Sequence, residues 1–398
     1  MKHQHPLARR LLLRRASFTA SRILSTRAVL HLSTAARMPL TAVNCLELPA
    51  TADMHVHLRQ DKMMELITPQ LRRGGVDTAF VMPNLIPPVT TVARAREYQT
   101  QLQAIEPNVK FLMSLYLHSS ITPEVIAEAA AAGITGVKMY PQGVTTNSAA
   151  GVSALDDFFP VFKAMEEHDL TLNLHGEVPN NVEANINELN AEEAFLPTLI
   201  RLNQQFPKLR IILEHCSTKA AVDAVLACSS TVAATITAHH LYLTTDQTTD
   251  PFAFCKPLAK SPADRDALIK AVVSGNPKFF FGSDSAPHPV TAKVTGPDSK
   301  TGPAAGVYTQ SYVTQYVLLA LEDAVRRGII RDEDVAQDKL EGFLSKFGRQ
   351  FYKLPETQQR IVLERKGEKI PRSITSADGS LEVVLSRAGD EVFSLRWK

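Results

Sequence analysis

The chain has 398 residues, of which 44% are hydrophobic, so it can bury one large core. Lys and Arg number 43 and Asp and Glu 41, a net charge of +2 that gives no global reason to expect nucleic acid or an anionic membrane as a partner. No apolar run reaches the roughly 18 residues that a membrane-spanning helix needs.

The first part of the chain differs from the rest in composition. No Asp or Glu precedes Glu47, whereas seven arginines fall among serines and leucines up to Arg37. This composition is typical of a mitochondrial transit peptide. The alternative is an upstream extension, with translation starting at Met38. We predict residues 1–45 to be a disordered or transit-peptide-like extension and 46–398 to be the folded domain. The functional form is expected in the cytoplasm, or in mitochondria if residues 1–37 are a working presequence.

The four cysteines show no C-x-x-C pairing, so neither a disulfide framework nor a cysteine zinc site is expected. They are predicted to be reduced, mostly buried thiols of an intracellular protein. They are Cys45, Cys216, Cys228 and Cys255.

From residue 50 onward, short apolar runs alternate with longer helical patterns. The eight strand candidates are Thr51–His57, Asp77–Asn84, Val109–Leu117, Gly136–Tyr140, Leu170–Glu177, Arg210–Cys216, Val232–His240 and Phe279–Asp284. The clearest helical patterns are Thr122–Ala132, Asp156–His168, Ala191–Phe206 and Ser261–Ser274. This alternation predicts an α/β fold: a (β/α)8 TIM barrel with short N- and C-terminal extensions.

Nearly every strand candidate ends in a polar or ionisable residue. The C-terminal strand ends of a TIM barrel meet at one mouth, where active sites are built. Separate regions of the chain would therefore bring their polar ends to one place. These residues are His55 and His57, Asn84, Lys138, His175, His215, His239 and His240, and Asp284.

The histidines and Asp284 together predict a metal site. His55 and His57 are two residues apart on a strand, so both imidazoles point into the barrel while Val56 packs outward. Alone, such a pair is weak evidence, because most histidines of this kind lie on the surface or in the core, and the same holds for His175 and His215. Asp284 ends an apolar run, where an unpaired carboxylate is costly. Imidazole and carboxylate together suit zinc.

Lys138 does not fit this cluster as an ordinary lysine. Its ammonium has no lone pair to give a metal and would be repelled by one. It could extend to the barrel mouth or pair with a substrate anion. Alternatively, carbamylation by CO₂ would convert it into a carboxylate-like bridge between two metals. The sequence leaves these readings open.

Six blocks of sequence, in order along the chain, resemble the type II dihydroorotases of the amidohydrolase superfamily. The similarity runs from about residue 50 to the C-terminus and includes the closing Phe393–Trp397. The blocks are Asp53–Arg59, Met82–Asn84, Val137–Pro141, Leu174–Glu177, Glu214–His215 and Gly282–His288.

The resemblance implies that the (β/α)8 TIM barrel is of the metal-dependent hydrolase type, with two zinc ions per subunit, and that the protein is a homodimer. His55, His57 and Asp284 would bind the first zinc, His175 and His215 the second, and carboxylated Lys138 would bridge them. Arg59, Asn84 and His288 would hold the substrate carboxylate, Thr145 and Thr146 would close over the ligand in a mobile loop, and backbone near Lys256 and Ala305 would contact the ring. The segment Pro289–Pro303 is longer than in some relatives, which leaves its contacts open.

The implied activity is the reversible, zinc-dependent cyclisation of N-carbamoyl-L-aspartate to (S)-dihydroorotate, the third step of de novo UMP synthesis. Zinc would activate the attacking hydroxide and Asp284, the catalytic residue, would carry its proton. The planar fork of Arg59 suits a carboxylate. The alternatives are another cyclic amidohydrolase (a dihydropyrimidinase, hydantoinase or allantoinase) and an inactive barrel scaffold.

Overall fold

A computed structural model describes residues 39–294 and 302–398 of the chain. The strands are β1 Cys45–Pro49, β2 Thr51–Val56, β3 Val76–Val81, β4 Lys110–Tyr116, β5 Gly136–Met139, β6 Thr171–Leu174, β7 Ile211–Leu213, β8 Val232–Ile236, β9 Phe279–Phe281, β10 Arg360–Lys369, β11 Ser373–Thr375, β12 Glu382–Val384 and β13 Glu391–Trp397. The α-helices are α1 Asp61–Ile67, α2 Gln70–Arg73, α3 Val92–Ile105, α4 Pro123–Ala131, α5 Phe159–His168, α6 Ala191–Gln205, α7 Lys219–Ala227, α8 Pro262–Val272, α9 Val290–Lys293, α10 Val313–Arg326, α11 Gln337–Glu341 and α12 Phe347–Phe351.

Strands β2 to β9 form one parallel sheet in chain order. The last strand returns to the first just beyond its end, because Asp284 N donates to His55 O at 2.8 Å and His57 N donates to Ser285 O at 3.2 Å. Helices follow most of the strands. The prediction of an eight-stranded (β/α)8 barrel is therefore confirmed.

The predicted strands extended too far at their C-terminal ends. The sixth strand candidate ran to Cys216, but β7 ends at Leu213, and the eighth ran to Asp284, but β9 ends at Phe281. The backbone turns away from the sheet there: His215 and Asp284 have φ of 42° and 44°. Side-chain oxygens and main-chain carbonyls outside the ladder bind the freed amides, so an apolar-run pattern could not locate the turn.

The interior of the barrel is filled below the mouth by apolar side chains. Met54, Phe80, Ile212 and Phe280 belong to one buried cluster, and α12 supplies the aromatic ring of Phe351 to it. The opposite faces of the strands pack on the helices in a second, larger cluster. Because both faces of each strand are covered, most residues of the barrel strands are apolar, as in other parallel barrels.

A change of register in β2 aims the first two histidines at the mouth. Pairing with β3 shifts between Asp53 and Val56. Met54 lies in the interior cluster, whereas Val56, two residues on, packs in the outer one. His55 and His57 consequently point into the barrel, as predicted. Irregularities of this kind re-aim side chains next to active sites.

The ends of the described chain form a separate antiparallel sheet in the order β1-β10-β13, which the sequence patterns did not predict. Leu40 and Val43 are buried beside it, and Arg365 Nε donates to Val43 O at 2.9 Å. Thus, within the part of the predicted extension that the structure describes, residues 39–45, Leu40 and Val43 are packed and the other five residues are exposed. The remainder of that extension, including the arginine-rich segment, lies outside the described residues.

All four cysteines are free thiols, with Cys216 and Cys255 buried and Cys45 exposed. Within residues 39–294 and 302–398, none of the helices combines the length and the apolar character needed to cross a membrane.

Candidate active site

A cleft of about 330 Å³ opens at the C-terminal ends of the barrel strands. Its walls come from loops that follow different strands, so no single sequence segment forms it. The lining residues are His55, His57, Arg59, Asn84, Tyr140, Thr145, Thr146, His175, His215, Lys256, Asp284, Ala286, Ala305 and Gly306. Of the thirteen site residues expected from the sequence, eleven line the cleft, and Lys138 and His288 lie against it.

The first group at the floor of the cleft consists of His55, His57 and Asp284. One ligand atom from each lies within 4.8 Å of the others. Oδ1 of Asp284 is 3.3 Å from Nε2 of His55 and 3.0 Å from Nε2 of His57. All three side chains are buried. Two imidazoles and a carboxylate converging in this way form a set of zinc-type ligands.

His175 and His215 continue this group across the floor. The ring centroids of His55 and His215 are 5.1 Å apart, and those of His215 and His175 are 4.7 Å apart. Nδ1 of His215 is buried and has no hydrogen-bond partner within the described parts of the chain. The four imidazoles thus form a continuous row beneath one cleft.

Lys138 lies under the row and is 0% exposed. Among the residues described, its Nζ has no hydrogen-bond partner, and it lies 5.2 Å from the centroid of the Tyr140 ring. Burial lowers the pKa of Lys138 to about 8, against the opposing charges of Glu214 and Asp284. A buried amine without acceptors is costly unless another group completes it.

Three side chains that the sequence analysis gave no orienting role hold the imidazoles in place. Glu214 Oε2 lies 2.9 Å from Nδ1 of His55. Glu177 Oε2 lies 2.8 Å from Nε2 of His175, and Asn84 Oδ1 lies 2.9 Å from Nδ1 of His57. Such partners fix which ring nitrogen faces a metal. Glu177 and Glu214 lie within two residues of a candidate metal ligand in the sequence, and this proximity is the feature that could have indicated their orienting role.

The charges of the floor favour an ionised Asp284 and a neutral His57, whereas His55 is shifted the other way. Burial raises the pKa of Asp284, but hydrogen bonds from His55 and His57 outweigh it and hold that pKa well below its usual value. Burial lowers the pKa of His57 to about 4. For His55, burial lowers the pKa, but Glu214 more than compensates and the net shift is upward. Neutral imidazole is the form that binds metals.

One wall of the cleft carries Arg59 and His288. Nε of Arg59 donates to Pro287 O at 3.0 Å, and its Nη2 lies 3.1 Å from Nε2 of His288. The same nitrogen of His288 is 2.9 Å from Ala305 O. Burial and the neighbouring guanidinium lower the pKa of His288, so the ring is neutral. A cationic fork beside a neutral imidazole suits a carboxylate ligand.

The loop after β5 lies across the mouth. Asn84 Nδ2 donates to Thr146 O at 3.1 Å, and Thr146 Oγ1 donates to Ala305 O at 3.3 Å. On the far side, Lys256 Nζ pairs with Glu188 Oε1 at 3.3 Å. Thr145 and Thr146 therefore line the mouth of the cleft.

His239 and His240, which the sequence placed at the end of the seventh strand, form a second buried group with Cys255. His240 Nε2 and Cys255 Sγ lie 3.1 and 3.2 Å from Pro257 O, which both use as an acceptor. His240 Nδ1 is also 2.9 Å from Thr237 Oγ1. These hydrogen bonds account for two of the three side chains without a metal.

The floor of the cleft fits a metal centre by its own chemistry. Its donors are imidazoles and one carboxylate, and the buried Nζ of Lys138 and Nδ1 of His215 are left without partners by the described residues. Barrel and site together define a metal-dependent hydrolase of the amidohydrolase class. In agreement, the family model described as Amidohydrolase matches residues 118–330.

Comparison with known proteins narrows this class. The chain is 49% identical to a probable dihydroorotase of Schizosaccharomyces pombe, over 83% of this chain and 94% of that protein. It is 46% identical to a dihydroorotase of Saccharomyces cerevisiae, over 89% of this chain and 98% of that protein. The chain belongs to the dihydroorotase family.

Solved structures agree with the family and with the fold. A dihydroorotase from Saccharomyces cerevisiae in complex with 5-fluoroorotic acid superposes with a TM-score of 0.82 at 45% identity, covering 89% of this chain and 99% of that one. An L-hydantoinase from Arthrobacter aurescens superposes with a TM-score of 0.71 at 16% identity, covering 88% of this chain and 82% of that one. The latter shares the fold alone.

Proposed function

We propose that this chain catalyses the reversible conversion of N-carbamoyl-L-aspartate into (S)-dihydroorotate and water, as a zinc-dependent dihydroorotase. The observation that carries the proposal is that one cleft has both a floor of side chains suited to bind a metal and a wall suited to bind a carboxylate. Asp284 lies within 3.3 Å of two histidines on the floor, and Arg59 lies beside His288 on the wall. Family membership supports the same activity.

We expect two zinc ions in the floor. His55, His57 and Asp284 would hold one ion, His175 and His215 the other, and carboxylated Lys138 would bridge them. Bound zinc would polarise the ring carbonyl and lower the pKa of a water molecule. Carboxylation requires a neutral amine, and the lowered pKa of Lys138, about 8, makes that form accessible near neutral pH.

Asp284 is positioned to carry the proton of the reaction. In hydrolysis, water adds to the ring carbonyl carbon, the bond from that carbon to the ring nitrogen breaks, and one proton moves from water to the departing nitrogen. The pKa of Asp284 lies well below its usual value, so its carboxylate is ionised and can accept this proton. It then releases the proton to the nitrogen. Ring closure follows the same path in reverse.

The wall residues orient the substrate. The guanidinium of Arg59 and an N–H group of Asn84 would bind the carboxylate that dihydroorotate and N-carbamoyl-L-aspartate share, with the neutral ring of His288 lining the same wall. Backbone at Lys256 and Ala305 would contact the ring, and Thr145 and Thr146 would cover it. A covered site excludes bulk water and strengthens these electrostatic contacts.

A substrate panel tests the proposal. The full chain, loaded with zinc, is assayed with dihydroorotate, dihydrouracil, hydantoin and allantoin under identical conditions. The guanidinium of Arg59 can bind the carboxylate of dihydroorotate, which the uncharged rings lack. We therefore expect the kcat/KM for dihydroorotate to exceed that for the uncharged rings at least about 100-fold. Preference for dihydrouracil, hydantoin or allantoin would replace the proposal with another cyclic amidohydrolase. Absence of turnover with all four would favour an inactive scaffold.

Two further expectations concern the whole molecule. We expect a homodimer, which light scattering of the purified chain would detect. We expect the functional form in the cytoplasm. The arginine-rich residues 1–37 can be tested by fusing them to a fluorescent reporter, since mitochondrial import would instead identify a working presequence.

A further inference from the structure

Lys293 places its ammonium inside the wall of the cleft. The residue ends α9 and is 4% exposed. Its Nζ donates to three backbone carbonyls, of Gly306 at 2.7 Å, Ala304 at 2.8 Å and Phe254 at 3.1 Å. A lysine ammonium has three N–H donors and no acceptor, so these bonds use its full capacity. The steps proposed above give this side chain no role.

The three carbonyls frame the turn that lines the cleft. The carbonyls of Ala304 and Gly306 accept from Lys293, while the carbonyl between them, that of Ala305, accepts instead from the cleft side. Its partners there are Nε2 of His288 at 2.9 Å and Oγ1 of Thr146 at 3.3 Å. Lys293 therefore holds the two carbonyls that flank Ala305, while the Ala305 carbonyl is directed towards the cleft side.

The same ammonium joins two walls of the cleft. Phe254 lies two residues before Lys256, which lines the cleft, and Phe254 O also accepts from Gly306 N at 2.9 Å. The turn is tightly enclosed, since a Cβ at Gly306 would lie 2.6 Å from Ala286 O. A shift of the turn would therefore move both walls together.

The direction of the Ala305 carbonyl bears on Arg59. Nε2 of His288 lies 2.9 Å from Ala305 O and 3.1 Å from Nη2 of Arg59. A ring nitrogen that donates to Ala305 O carries a hydrogen, so it cannot also accept from Arg59. Ala305 O thereby fixes the His288 tautomer and leaves the Arg59 fork available for a carboxylate.

We propose that Lys293 is a positioning residue for carboxylate recognition, acting through the Ala305 carbonyl on His288, Arg59 and Thr146. This inference rests on the proposed function. It assigns Lys293 no contact with substrate and no proton transfer. Loss of its ammonium would leave three carbonyls without their shared donor, so the turn would move or bind water, and the carboxylate would be held less well.

Lys278 offers a matched control. Its Nζ also bridges backbone carbonyls, of Val225 at 2.8 Å and Cys228 at 2.6 Å. It immediately precedes β9, at the strand end opposite the cleft. A lysine that only stabilises backbone is thus available in the same barrel.

The test compares Lys293→Met, Lys293→Gln, Lys293→Arg and Lys278→Met in the zinc-loaded full chain, measuring KM and kcat for dihydroorotate, metal content and Tm. We expect Lys293→Met to raise KM about tenfold or more, with a smaller change in kcat and unaltered metal content. Lys293→Gln keeps two N–H donors and should raise KM less. Lys293→Arg keeps the charge and should recover part of the loss. Lys278→Met should lower Tm and leave KM unchanged.

An unchanged KM in folded Lys293→Met would overturn the inference, and so would an equal rise in Lys278→Met. If Lys293→Met does not fold, the KM of Lys293→Gln is the deciding measurement. A wild-type KM in Lys293→Gln would equally overturn the inference. Absence of dihydroorotate turnover by the unmodified chain is a different result, because it defeats the proposed function on which the inference depends.

Discussion

Glu214 Oε2 lies 2.9 Å from Nδ1 of His55, which joins the sixth barrel strand to the first across the floor of the cleft. The same carboxylate accepts from Asn173 Nδ2 and Thr235 Oγ1, so three donors converge on its two oxygens. His55 is thereby held with its other nitrogen towards Asp284. Glu214 precedes His215, a candidate ligand of the second zinc, and thus orients His55, a candidate ligand of the first.

Glu214→Gln should weaken metal binding without removing any ligand. An amide NH₂ would face at least one of the three donors now bound by the carboxylate, so His55 would lose its fixed orientation. Zinc affinity should fall about 10- to 100-fold, measured by competition with a chromogenic chelator. Glu193→Gln, on the exposed side of α6, is the control and should bind zinc normally. Normal zinc affinity in Glu214→Gln would show that His55 is oriented by other contacts.

Asp284→Asn should retain much of its zinc and lose turnover. The amide oxygen can still ligate weakly, but the side chain can no longer accept a proton. We expect kcat to fall about 10²- to 10⁴-fold, with zinc measured in the same samples by atomic absorption. More than about a tenth of wild-type activity would remove Asp284 from the role of general base.

Arg59→Met should chiefly weaken binding of carboxylate substrates. Methionine keeps the apolar stem and removes the fork beside His288. KM for N-carbamoyl-L-aspartate should rise about 10- to 100-fold while metal content stays the same. Arg201→Met, which removes an exposed pair with Asp156, is the control and should leave KM unaltered. Unchanged KM in Arg59→Met would place the carboxylate elsewhere.

Lys138→Ala should lose both bound zinc and activity, because the proposed bridge between the two ions is gone. Added acetate or propionate should restore part of the activity by occupying the vacated position. Lys138→Arg should not be rescued, since guanidinium stays charged and does not take up CO₂ in this way. Intact mass under non-denaturing, CO₂-replete conditions checks the modification directly. An unmodified Lys138 in the fully active, metal-loaded chain would contradict the bridge.

The barrel could be predicted from sequence because strand and helix patterns alternate eight times and polar residues end nearly every strand. The strand ends could not be located, because His215 and Asp284 leave the sheet through positive φ within otherwise apolar runs. Pairing between distant segments was equally hidden: β1 and β10 are separated by some 300 residues, and nothing local in either indicates the other.

The candidate ligands could be named because histidines and an aspartate at strand ends are costly to bury without a cation. The residues that orient them are less visible. Glu177 and Glu214 read as ordinary acidic residues until their carboxylates are seen beside imidazole nitrogens. Lys293 lies in a loop-flanking segment with no motif, and only the three carbonyls around its Nζ reveal what it holds.

The most direct test of the central claim is to titrate the metal-stripped full chain with zinc. The measurement is the rate at which N-carbamoyl-L-aspartate forms from dihydroorotate. The floor offers two ligand groups around Lys138, so we expect no turnover without metal and a maximum near two zinc ions per chain. Turnover by the metal-free chain, or none at any zinc concentration, would contradict a zinc-dependent dihydroorotase. A maximum at one zinc per chain would contradict the paired site.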